Sequence, residues 1–129
     1  MQRAEFPEDV LRFVEARIDS VPHLESLLLF WENQGASWTE ADIAARIYVS
    51  RERAGAIVAD LLRHGFIAAT DAPADQYRYD PAWDEAGMMQ RVATLYRRHV
   101  VQLAGLIHEK SGSGAVRDFA RAFQFKSGD

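Results

Sequence analysis

The stretch that decides the fold is TEADIAARIYVSRERAGAIVADLLRHGFI, residues 39–67. Thr39 offers a side-chain oxygen to open a helix, and Asp42 stands three residues on as the reciprocal arm of a capping box. Ile43, Ala44 and Ile47 give that helix a short apolar stripe, which ends near Tyr48-Val49. Ser50 is a second N-cap residue. Ala54, Ile57, Val58, Leu61 and Leu62 then recur at steps of three and four, which predicts a helix over 51–64. Arg63 and His64 suit the negative end of a helix. Gly65 stands where a left-handed residue closes one.

Downstream, 66–70 reads as a strand, 71–75 as a turn rich in Asp, Ala and Pro, and 76–80 as a returning strand with Tyr77 and Tyr79 on one face. Pro81 closes this hairpin. Upstream, Pro7 precedes Val10, Leu11, Val14 and Ile18, a helical spacing that predicts a helix over 7–18. Ser20 is placed to cap a following helix carrying Leu24, Leu27, Leu28 and Trp31, ended by Gln34-Gly35. Its run Leu27 to Trp31 leaves so little polar surface that deep burial is expected. Beyond Pro81 a single long helix is predicted over 82–109. A Ser111-Gly112-Ser113-Gly114 joint follows, then a short amphipathic tail helix with Phe119, Phe123 and Phe125 among Arg117, Arg121 and Lys126. The tail suits docking on its own domain, on a partner, or on an acidic surface. The organisation is an N-terminal helix (1–19) packing on the core or on a partner, a central domain (20–81), a long helix (82–110), and the joint with its tail (111–129).

Apolar residues make up 48 % of the 129-residue chain, enough for one hydrophobic core. The absence of cysteine excludes disulfides, thiolate catalysis and thiolate-held metals. The first 19 residues are charged throughout, unlike a signal peptide, and the longest apolar runs are far below the roughly 20 residues of a membrane span. A cytoplasmic protein without membrane association is expected.

The order helix, short strand, helix, tight turn, helix, strand, wing, strand resembles the winged helix-turn-helix of bacterial transcriptional regulators. The resemblance is carried by Thr39-Glu40-Ala41-Asp42-Ile43-Ala44, by Val49-Ser50, and most specifically by Leu61-Leu62-Arg63-His64-Gly65-Phe66-Ile67. It covers about half the chain. The long helix after the wing is similar to those of MarR-like and PadR-like proteins, where such helices make dimers. The resemblance implies a mainly α fold, a DNA-binding regulator and a reading helix at 51–64. Residues at that helix's start, Ser50, Arg51, Glu52, Arg53 and Ala56, would then face bases and phosphates, with Arg46 and Arg78 as phosphate contacts. Small Ala44 and Ala45 would let the two helices approach. A protein-interaction module on the same scaffold is the alternative.

Charge bears on that choice. The chain carries a net charge of −4, and residues 20–81 set five arginines against nine carboxylates, again −4. The expected wing offers Asp71, Asp75 and Asp80 against Arg78 alone, whereas a DNA-binding wing presents basic residues. The predicted long helix has more apolar residues than one stripe can use. Met89, Val92, Tyr96, Leu103 and Leu106 are the expected contacts of a homodimer.

Catalytic signals are lacking. No nucleophile-elbow or phosphate-cradling glycine pattern occurs, and the carboxylates Asp84 and Glu85 suit a helix start. His23, His64, His99 and His108 have no metal-ligand spacing among them. His99 fits the apolar stripe, and Trp31, Trp38 and Trp83 fit packing roles. The chain is therefore expected to be no enzyme and to use no cofactor and no metal. A pocket for a small effector under the long helix is a further, weaker option.

Overall fold

The computed structural model of the chain describes residues 6–109. The expected joint and tail helix, with Lys110, lie outside the described residues. Among the described residues the fold is mainly helical, with one two-stranded antiparallel sheet. It divides into two compact units, one drawn from residues 6–21 and 95–109, the other running from Pro22 to Thr94.

In the first unit, α1 spans Glu8–Arg17 and starts behind Pro7 with Glu8 and Asp9 in its first turn, where acidic side chains meet the positive helix end. Val10, Val14 and Ile18 are buried as their spacing demands, joined by Phe13. The helical segment over 100–109 contributes buried Leu103 and Ile107. Phe6 meets the His99 ring edge to face, with centroids 5.6 Å apart, so that histidine does serve packing.

In the second unit, α2 spans Val21–Glu32 and α3 spans Glu40–Ile47. The buried face of α2 holds His23, Leu24, Ser26, Leu27, Leu29 and Phe30, while Leu28 and Trp31 are only half-buried. A helix with apolar residues nearly all round does not announce which face turns inward, and packing chose a stripe rotated from the expected one. The Thr39–Asp42 capping box is formed in both directions, each hydrogen bond 3.0 Å long.

The fourth helix, α4, spans Arg51–Arg63, with the Ser50 hydroxyl accepting from the Arg53 N–H at 3.0 Å. Its end closes as the glycine predicted. Gly65 has φ +78°, and the Phe66 N–H returns to the Leu61 carbonyl at 3.0 Å. Helices α3 and α4 pack on each other. Their close approach does not use Ala45, which is exposed, but Gly55, whose added Cβ would lie 3.1 Å from a carboxylate oxygen of Glu40.

Strand β1 (Ile67–Ala69) pairs with β2 (Tyr77–Tyr79) in the register Ile67↔Tyr79, Ala68↔Arg78 and Ala69↔Tyr77. Trp38, just ahead of α3, adds a further rung by exchanging two 2.9 Å hydrogen bonds with Tyr77.

The predicted continuous helix over 82–109 is not formed. Pro81–Asp84 make a short 3-10 turn, and α5 runs only from Met88 to Arg98 before a bend at His99 and renewed helix over 100–109. Trp83 packs against Phe66 and Tyr79, with ring centroids 4.7 and 6.2 Å away, which holds this segment on the hairpin. Gly87 then turns at φ +77°, and the Asp84 carboxylate accepts from the Met88 N–H at 2.6 Å to cap α5. Asp84 also accepts from the Tyr79 hydroxyl at 3.2 Å.

Two glycines should respond oppositely to alanine. Gly65→Ala meets open space but must hold a positive φ, so urea denaturation is expected to show about 1 kcal/mol lost. Gly55→Ala sits inside a helix, and the Glu40 side chain can swing away, so the same measurement is expected to show up to about 1 kcal/mol gained.

Candidate functional site

Burial of Ala54, Ile57, Val58 and Leu61 turns the other side of α4 outward, and Arg51, Glu52, Arg53, Ala56, Ala59 and Arg63 are exposed. The side chains of Arg51 and Arg53 pair with no carboxylate among the described residues. Ser50 is already engaged, since its hydroxyl oxygen holds the Arg53 N–H. Between α3 and α4 the turn is made by Tyr48, at φ 62° and ψ 48°, whose N–H bonds to the Ala44 carbonyl. The Val49 N–H bonds to the same carbonyl at 3.1 Å.

Arg46, in the last turn of α3, lies with its guanidinium 5.1 Å from the centre of the Trp38 ring. This contact joins the end of α3 to the residue that pairs with β2. Arg46, Ser50, Arg51 and Arg53 thus fall on one short segment around the α3–α4 turn. Arg78 does not join them. It is exposed on β2, in an open groove of about 550 Å³ shared with Gln34, Gly35, Ala68, Asp80 and Pro81, and no residue of α3 or α4 lines that groove.

The hairpin tip is acidic and solvent-facing. Asp71 and Asp75 are exposed, and Asp80 is occupied in accepting from the Ala82 N–H at 3.0 Å. Burial, then the negative charge of Asp84, holds the Tyr79 hydroxyl above its ordinary range, so it stays a hydrogen-bond donor.

What orients α4 on α2 was not visible in the sequence. His23, buried in α2, places Nε2 2.7 Å from Asp60 Oδ2, and Arg63 reaches Asp60 Oδ1 at 2.8 Å. Desolvation pushes the Asp60 carboxyl up. The hydrogen bonds to His23 and Arg63, followed by their electrostatic attraction, outweigh that, so it lies below its ordinary value of 3.8. Asp60 and Arg63 are helical neighbours, but nothing local connects either to His23. Sequence spacing likewise gives Tyr48 no role beyond ending α3. The available signal was a turn squeezed between two capped helices with no glycine in it.

The expected dimer contacts need correction. Met89, Val92 and Leu103 are fully buried within the single chain, so they have no surface to offer a second copy. Each of them is taken up by the core of one chain, which explains part of the apolar surplus. Tyr96 and Leu106 are half-buried. Val100 and Val101, from the same apolar run, are exposed instead, Val101 by 77 %.

No helix among the described residues is long and apolar enough to cross a membrane. Comparison of the chain with protein-family models, with curated proteins and with solved structures finds no match.

The Asp60 contacts set a sign for pH dependence. A depressed carboxyl adds stability that is complete above about 3.8 and is lost as the pH falls through its folded value. Asp60→Asn is therefore expected to cost about 1–2 kcal/mol at pH 7, and the gap to wild type should narrow progressively as the pH falls below 3.8. Denaturant titrations of both proteins across that range would read it.

Proposed function

We propose that α2, α3, α4 and the β1–β2 hairpin form a winged helix-turn-helix, and that the chain is a DNA-binding regulator with α4 as its reading helix. The observation that carries this is the outward first turn of α4, where Arg51 and Arg53 stand exposed and free of carboxylate partners in an otherwise acidic unit. A capped helix start with unpaired guanidinium groups can enter a major groove and meet guanine edges or phosphates. The Trp38–Tyr77 bridge supports the fold assignment, because it supplies the short strand such a unit places between its first two helices. In this reading Ser50 and Arg46 flank the reading turn, and Arg78, exposed on β2, meets phosphate from the hairpin rather than from the reading turn.

The regulator acts as a homodimer whose contacts come from the 100–109 helix, with Val100 and Val101 in place of the buried positions. Light scattering at micromolar concentration is expected to return twice the chain mass, and a single-chain mass overturns the dimer.

The acidic hairpin tip favours a second reading, a protein-interaction module on the same scaffold with a basic partner at Asp71 and Asp75. Stoichiometric co-purification of a partner, with no retention on DNA at low salt, would select it.

The DNA reading is tested with a labelled mixed-sequence duplex of about 30 base pairs, read by fluorescence anisotropy at about 50 and 200 mM salt. Arg51→Ala with Arg53→Ala is expected to weaken binding at least about tenfold and to make the salt slope shallower by about 2 for each reading helix engaged, about 4 for the dimer. Unchanged affinity at fixed salt would overturn the reading.

A further inference from the structure

Four described residues have a positive φ: Gly65, Gly87, Asp75 and Tyr48. Glycine adopts that conformation freely, and aspartate is among the side chains that tolerate it. Tyr48 is the exception. It is a large aromatic in the left-handed region, and its side chain recovers nothing by packing, since the residue is 91 % exposed. The backbone conformation itself is required, because the Tyr48 and Val49 N–H groups close α3 on the Ala44 carbonyl. The helix end needs a left-handed residue, but it has no use for a phenol ring. A large side chain held at a strained backbone position without packing points to a role outside the fold.

Its surroundings say what the ring would meet. Arg46 lies two residues before it, and Arg51 and Arg53 follow three and five residues after, on the exposed first turn of α4. Three exposed arginines within five residues of one exposed aromatic ring, Arg46 with its guanidinium over Trp38, complement a polyanion that also offers flat or apolar surface. Duplex DNA does so along its backbone, where phosphates alternate with deoxyribose. Tyrosine hydroxyls are among the ordinary donors to phosphate.

We propose that Tyr48 is a backbone-anchoring residue for DNA, its ring lying on a deoxyribose and its hydroxyl donating to the adjoining phosphate at the mouth of the reading helix. The inference rests on the DNA reading above and adds to it a neutral contact that fixes register. Because the contact is made to the backbone, it operates on any sequence.

A neutral contact releases no counterion, which separates it from the arginines in the same measurement. With the mixed-sequence duplex, Tyr48→Gly is expected to bind about five- to tenfold more weakly than wild type, with an unchanged salt slope. Its Tm should be equal to wild type or up to about 4 °C higher, because glycine suits the left-handed helix end. Tyr48→Phe, which keeps the ring and loses the donor, should fall between the two in affinity. Wild-type affinity in Tyr48→Gly, alongside weakened binding in Arg51→Ala with Arg53→Ala, would overturn the tyrosine's role and leave the DNA reading standing. A lower Tm in Tyr48→Gly would mean that the side chain serves the fold, which also overturns it. Failure of the wild-type chain to bind the duplex at about 50 mM salt would bring down both.

Discussion

Ala54, Ile57, Val58 and Leu61 are withdrawn from water along one side of α4, and a helix cannot bury one side without committing the other. The caps fix where that commitment begins and ends. Ser50 starts the helix at Arg51, and the left-handed Gly65 stops it and sends the chain into β1. The side facing outward then carries Arg51 and Arg53 on its first turn. Shifting the buried stripe by one residue would rotate those arginines by about 100° and place them elsewhere. The polar face is therefore a consequence of the apolar one. The His23–Asp60–Arg63 contacts reinforce the same orientation from α2.

The electrostatics of the central region are divided rather than uniform. Three of its nine carboxylates are used locally, with Asp42 in a capping box, Asp60 on His23 and Arg63, and Asp80 on Ala82, while Asp84 just beyond it caps the start of α5. Such groups have their charge met by N–H donors or an adjacent cation, so a formal net charge overstates the repulsion they exert on a distant anion. Arg51 and Arg53 have no such local use. The hairpin tip is different, because Asp71 and Asp75 are exposed and face solvent. One end of the unit therefore suits an anion and the other repels it.

Local signals were legible because the contacts they describe are local. Thr39 with Asp42, Ser50 with Arg53, and Gly65 with Leu61 and Phe66 lie within one or two turns of each other, so their spacing in sequence is already their spacing in space. The hairpin was readable for the same reason. The long helix after Pro81 misled because its apolar periodicity is continuous. The interruption comes from Trp83 settling on Phe66 and Tyr79, and from Asp84 and Gly87 restarting the helix at Met88.

By itself the sequence determined the element order from α1 to β2, the N-caps of α3 and α4, the glycine reversal and the outward side of α4, all set by bonds between near neighbours. Only the tertiary structure decided which stripe of the apolar α2 turns inward, that His23 meets Asp60, and that Arg78 lines a groove with residues outside α3 and α4. It also decided that Met89, Val92 and Leu103 are spent inside one chain, while Tyr48 is left in solvent. Those outcomes depend on surfaces brought together from distant parts of the chain, and periodicity along one segment carries no information about its partner.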